Sequence, residues 1–176
     1  TYTDVSSAFF PAAQERFTDH DFVHYRCLDL DADPAAQGFT PASYDLVIAA
    51  NVLHATRDLR SALHRIGDLL ADGGQLLALE SHDPAALTPV FGLLDSFWSA
   101  EDTALRPMGP LLAREQWPGL LEGCGFTGTV QPGDATQPAH DHHSVILTAR
   151  APRPRQTAVA PDPGFPHPQV VADLTG

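Results

Sequence analysis

The chain alternates short apolar runs with amphipathic stretches, and the most informative run is Tyr44-Asp-Leu-Val-Ile-Ala-Ala-Asn-Val-Leu-His-Ala-Thr56. A Val- and Ile-containing run of this length, closed by polar residues and followed by helical spacing, predicts a parallel strand over 45–50 that is buried on both faces. Ligands of open α/β sheets sit beyond the carboxyl ends of the strands, so Asn51 and His54 are expected at the rim of a crevice. Leu59, Leu63, Ile66 and Leu70 recur at helical spacing and predict an amphipathic helix over 57–70, with Gly73 as its terminator. A further apolar strand, 75–79, places Glu80 at its end much as His54 follows the end of the strand before. Neighbouring strand ends can bring these two side chains together.

Upstream, residues 2–5 read as the end of a strand, with Asp4, Ser6 and Ser7 placed to cap a helix over 8–17 that tolerates Pro11 in its first turn. Residues 23–30 predict a strand ending in Asp29, with Asp31 and Asp33 in a solvated turn. Downstream, 111–121 reads as a helix carrying Trp117, and 125–130 and 144–149 as strands. Between them, residues 81–109 form a long insertion with the segment Phe91-Gly-Leu-Leu-Asp-Ser-Phe-Trp98, too apolar for a plain solvent loop and expected as a lid or pocket wall. The order of elements predicts one α/β domain over 1–150, with a Pro-rich linker or tail over 151–176. Asp72-Gly-Gly74 is not a phosphate cradle, because it follows a helix and precedes a strand, the reverse of a phosphate loop.

Composition narrows the partners. All ten basic residues are Arg against 22 acidic ones, for a net charge of -12, which disfavours nucleic acid and anionic membrane surfaces alike. No run is long enough to span a bilayer and no signal peptide opens the chain, so a cytoplasmic protein is expected. Cys27 and Cys124 fit no paired-ligand spacing and are expected as two buried, reduced thiols. His140-Asp-His-His143 places three imidazoles within four residues, but on a loop they lack fixed geometry, so no metal site is expected.

Taken in order, Thr3-Asp-Val-Ser6, Leu28-Asp-Leu-Asp31 with Gln37-Gly-Phe39, 44–56, Asp72-Gly-Gly74 with Leu79-Glu80, 91–98, and Trp117 with Gly125-Phe126 resemble the C-methyltransferase domain of polyketide synthases, a Rossmann-like S-adenosylmethionine-dependent methyltransferase. The resemblance implies a sheet with helices on both faces that lacks, in this chain, its first strand and Gly-rich loop, and so has a break at its centre. It implies that Asp4 binds the ribose hydroxyls of S-adenosylmethionine, that Asp29 accepts the adenine amino group, that Leu30 walls the ring, and that Asn51 also lies on the cofactor side. It further implies His54 and Glu80 as a catalytic dyad. Phe97 and Trp98 are placed as substrate-pocket aromatics, although the family has adjacent Trp residues there.

The implied reaction is methylation of the α-carbon of a β-ketoacyl chain on an acyl carrier protein, beside neighbouring polyketide synthase domains. It needs a base that removes an acidic C–H near neutral pH. Histidine can hold and release that proton, and a buried carboxylate can fix its tautomer. Two other classes compete with this reading: a pseudo-methyltransferase kept as a structural domain of a synthase, and a protein-interaction module using the 91–98 surface. The presence of His54, Glu80 and Asp4 together favours the enzyme.

Overall fold

The computed structural model describes residues 1–133 and 142–152. Strand β1 (Tyr2–Asp4) pairs in parallel with β2 (Tyr25–Cys27), from Tyr2 opposite Tyr25 to Asp4 opposite Cys27. Between them Ser6 accepts the Ala8 N–H at 3.2 Å and starts a 3-10 turn that continues as α1 (Phe10–Arg16), with Pro11 tolerated in the first turn. Tyr2, Phe10, Phe17 and Tyr25 pack ring against ring and hold this unit together. The β2 strand is shorter than its apolar pattern predicts because its partner β1 spans only three residues.

The second sheet runs β3 (Tyr44–Ala50), β4 (Leu70–Ser81), β6 (His143–Arg150), β5 (Phe126–Val130), with β3–β4 parallel and the other pairs antiparallel. Among the described residues β1 pairs only with β2 and β3 only with β4, so the expected break in the sheet falls between β1 and β3. A cleft occupies it, lined by Thr3, Asp4 and Val5 on one side and Val47, Ile48 and Ala49 on the other. That edge position corrects the expectation that β3 is buried on both faces. Ala49 is in the core, but Leu46 and Ile48 are 47% and 66% exposed, because nothing described covers their face of the strand.

Helix α2 (Leu59–Leu69) follows the predicted stripe: Leu59, Leu63 and Ile66 are buried with Leu70, packed with Ala49, Leu53, Leu76, Trp117, Leu121 and Ile146. The helix stops before Gly73, which is a correction. Leu70 is already extended (φ -72°, ψ 136°) and pairs with Tyr44, so the sheet captures it. Gly73, at φ 76°, instead sits in a bulge of β4 where residues 71–74 stand against Asp45 alone. The helix expected over 111–121 begins later, as a 3-10 turn Arg114–Gln116 running into α4 (Trp117–Gly123), with Pro118 in its first turn. Cys124 is buried as expected and its thiol pKa is pushed up by desolvation, but Cys27, at the end of the short β2 strand, is exposed.

Asp58 caps α2 by accepting the Ser61 N–H at 2.7 Å, and that bond holds its carboxyl below the ordinary aspartate value. A carboxyl depressed in the fold contributes stability above its unfolded pKa, and the contribution is lost as pH falls through the folded value. Asp58→Ala is expected to cost about 1 kcal/mol at neutral pH. Thermal melts at pH 7 and at pH 3 check this, and the difference between wild type and variant should shrink at the lower pH.

Candidate active site

The turn that leaves β3 carries the site. Asn51 donates its N–H to the Leu79 carbonyl at 2.7 Å and then turns the chain with φ 53°, a left-handed conformation that asparagine accepts more readily than most residues. The 3-10 turn Leu53–Ala55 follows and exposes N–H groups to be satisfied. Glu80, at the end of β4 and fully buried, satisfies them. Its Oε1 accepts the N–H groups of Val52 (2.9 Å) and Leu53 (2.8 Å), and its Oε2 accepts that of His54 at 3.3 Å. The same Oε2 lies 2.7 Å from His54 Nδ1. A carboxylate in a nest of N–H groups accepts, so in the neutral imidazole Nδ1 carries the hydrogen and Nε2 the free lone pair.

His54 is 17% exposed and opens onto a cavity of about 470 Å³ walled by Leu87, Phe91, Leu94 and Phe97, with Pro110 and His143 on its rim. The apolar wall comes from α3 (Pro84–Phe91) and a 3-10 turn (Asp95–Trp98), neither of which buries a residue in the core. The expected pocket wall over 81–109 is therefore present. Phe97 lines this cavity. Trp98 does not: its indole N–H donates to the Gly92 carbonyl at 3.0 Å and its ring lies against Gly109, so it braces the segment from outside.

The second cavity, about 360 Å³, is the cleft between β1 and β3, and Asp4, Asp29, Leu30 and Asn51 all line it. Asp4 accepts the Ser6 N–H at 2.9 Å through Oδ1, while Ser6 itself caps the following helix. Asp29 accepts the Asp31 N–H at 2.8 Å. Two carboxylates at strand ends, with Leu28, Leu30, Val47, Ile66 and Leu69 around them, form a donor-seeking rim on an apolar floor. Asn51 and Ala55 line both cavities, so the His54 turn is the partition between them.

Asp31 corrects the expectation of a solvated turn, since its Oδ1 accepts the Arg57 N–H at 3.0 Å and its side chain is 28% exposed. Asp33 caps an exposed turn at Ala35, as expected. In the histidine cluster, His140 and Asp141 lie outside the described residues, as does the expected linker from residue 153 onward. His142 pairs with Asp83, whose carboxyl is held below its ordinary value by the Ala85 N–H and by that imidazole.

Two further residues support the site through main-chain atoms: Gln37, whose Gln37-Gly-Phe39 segment belongs to the resemblance but carries no role there, and Arg106, which has no sequence signal. Gln37 clamps the Asp29 backbone, accepting its N–H and donating to its carbonyl, both at 2.8 Å. Arg106, fully buried, donates to the His54 carbonyl at 3.1 Å.

A mixed sheet broken between β1 and β3, with carboxylates on the cleft and a histidine–carboxylate pair next to it, has the form of a Rossmann-like methyltransferase. Residues 1–76 match a family described as a methyltransferase domain. Over 160 residues the chain is 43% identical to the highly reducing polyketide synthase ltbA of Aspergillus luteorubrus, covering 84% of this chain and 5% of that protein. Among solved structures it aligns with the CurJ carbon methyltransferase at TM-score 0.80 and 41% identity, covering 85% of this chain and 40% of that one. It also aligns with the trans-methyltransferase CalH in complex with SAH, at TM-score 0.77 and 36% identity, covering 85% and 42%. The chain belongs to the methyltransferase family, among the C-methyltransferase domains of polyketide synthases. It spans a small part of the synthases it matches and about two fifths of the solved domains.

Proposed function

We propose that this chain takes part in S-adenosylmethionine-dependent methylation of the α-carbon of a β-ketoacyl chain carried by an acyl carrier protein, within a cytoplasmic polyketide synthase. The observation that carries the reading is the His54–Glu80 pair standing on the partition between an apolar cavity and a carboxylate-rimmed cleft. No helix among the described residues is long and apolar enough to cross a membrane.

The cleft fits the cofactor by the chemistry of its donor set. Asp4 offers oxygens to the ribose hydroxyls, Asp29 an acceptor for the adenine amino group, Leu30 and its apolar neighbours a surface for the ring, and Asn51 a polar contact at the partition. When bound, S-adenosylmethionine supplies an electrophilic methyl group. The apolar cavity takes the acyl chain, with Phe97 in its wall, and holds the α-carbon beside His54. Nε2 removes the α-proton while Glu80 keeps the ring in register through Nδ1, and the imidazolium that forms balances a carboxylate already buried there. Removing water from the acyl side strengthens that pairing.

Asp4→Ala in the complete domain tests the cofactor half of the reading. Losing the hydroxyl acceptors is expected to weaken S-adenosylmethionine binding by roughly 1 to 3 kcal/mol in a calorimetric titration, with turnover at saturating cofactor affected less. Unchanged affinity would reduce Asp4 to the turn former that its bond to Ser6 already makes it.

A further inference from the structure

The His54 turn is held from two sides by opposite charges. Glu80 takes its N–H groups, at Val52, Leu53 and His54. On the other side the Arg106 guanidinium takes its carbonyls: Nη1 donates to His54 O (3.1 Å), and Nη2 to Thr56 O (2.8 Å) and Arg57 O (3.1 Å). Nη1 also reaches the carbonyl of Pro110 at 3.0 Å, so one side chain ties the turn to the cavity rim. The Arg106 side chain has no exposed surface. Its charge is met by Asp102, whose Oδ1 accepts the Nε N–H at 2.7 Å and lies 2.6 Å from Nη2 as an ion pair, while its Oδ2 accepts the Leu59 N–H at 3.0 Å, at the start of α2. A buried arginine spent on four backbone carbonyls is a costly way to fill space, and only its planar fork of five donors can meet this set.

We propose that Arg106, oriented by Asp102, is a positioning residue that fixes His54 against Glu80 and aims Nε2 into the acyl cavity, an inference that rests on the methyltransferase reading. Arg106 touches neither cavity floor nor cofactor cleft. It acts through the carbonyl of the base itself and those of Thr56 and Arg57 just after it, and a small displacement of a base from its target carbon is enough to slow proton removal.

The test is Arg106→Lys in the complete domain, with kcat and KM for a β-ketoacyl carrier protein, cofactor affinity, and the His54 ring read by two-bond nitrogen–hydrogen NMR correlation. Lysine keeps the charge but cannot span the carbonyls. The expected result is a kcat lower by about 10- to 100-fold, little change in KM or cofactor affinity, and loss of the single Nδ1–H tautomer expected in wild type. Asp102→Asn keeps an acceptor for Leu59, removes the negative partner, and should show the same pattern more weakly. It carries the test if the lysine variant does not fold. Wild-type kcat together with a wild-type ring spectrum in both variants would overturn the proposal, as would a loss confined to KM and melting temperature. The ring spectrum needs no turnover, so a wild-type domain that adds no methyl group removes the functional reading while the spectrum still decides whether Arg106 sets His54.

Discussion

His54→Ala is expected to lower α-methylation by the complete domain about 10²- to 10⁴-fold, the usual range for a positioned acid or base, while S-adenosylmethionine binding stays close to wild type. The separation follows from geometry. The imidazole faces the apolar cavity and is absent from the lining of the β1–β3 cleft, so its loss removes the proposed base without touching the proposed cofactor contacts. Single-turnover methylation and a calorimetric titration on the same preparation read the two quantities. A variant that methylates at the wild-type rate would exclude His54 as the base. A variant that loses cofactor affinity in step with its rate would move the residue into the cleft.

Glu80→Gln and Glu80→Leu separate the two things this carboxylate does. Glutamine can keep an oxygen on the Val52 and Leu53 N–H groups, so the fold should hold. Its amide then points N–H bonds at His54 Nδ1, which favours the tautomer with the hydrogen on Nε2, and the base is lost; where a triad aspartate is changed to asparagine, the wrong tautomer costs about 10⁴-fold. Leucine leaves three N–H groups, one buried and two partly buried, without an acceptor. At about 1 to 3 kcal/mol for each unsatisfied group, it should lower the melting temperature markedly as well as abolish activity. Methylation rates beside thermal melts give the comparison. A glutamine variant with wild-type activity would mean that Glu80 only holds the turn.

Much of this site was legible because strand ends announce themselves. The apolar run before Asn51 and the one before Glu80 place two polar side chains beyond neighbouring strands, and parallel pairing of Ala50 with Leu79 then brings His54 to Glu80. Asp4 and Asp29 are readable on the same ground. What depends on distant backbone was not. Arg106 is 52 residues from the carbonyl it holds, and Gln37 works through main-chain atoms of a loop, so neither leaves a periodic trace. Trp98 and Phe97 are adjacent in sequence, yet a 3-10 turn sends one into the cavity and the other to the Gly92 carbonyl. The exposed face of β3 could not be foreseen from its apolar pattern, because burial depends on what lies across the strand. Gly73 misled for a related reason: the sheet claimed Leu70 before the glycine could end the helix.

The measurement that bears most directly on the central claim is mass spectrometry of a β-ketoacyl acyl carrier protein incubated with the complete domain and S-adenosylmethionine bearing a trideuterated methyl. The account predicts labelled methylation of the acyl α-carbon, present with wild type and lost with His54→Ala. An acyl chain that never gains the label from the wild-type domain, with the cofactor bound and across β-ketoacyl chains of different length, would contradict it.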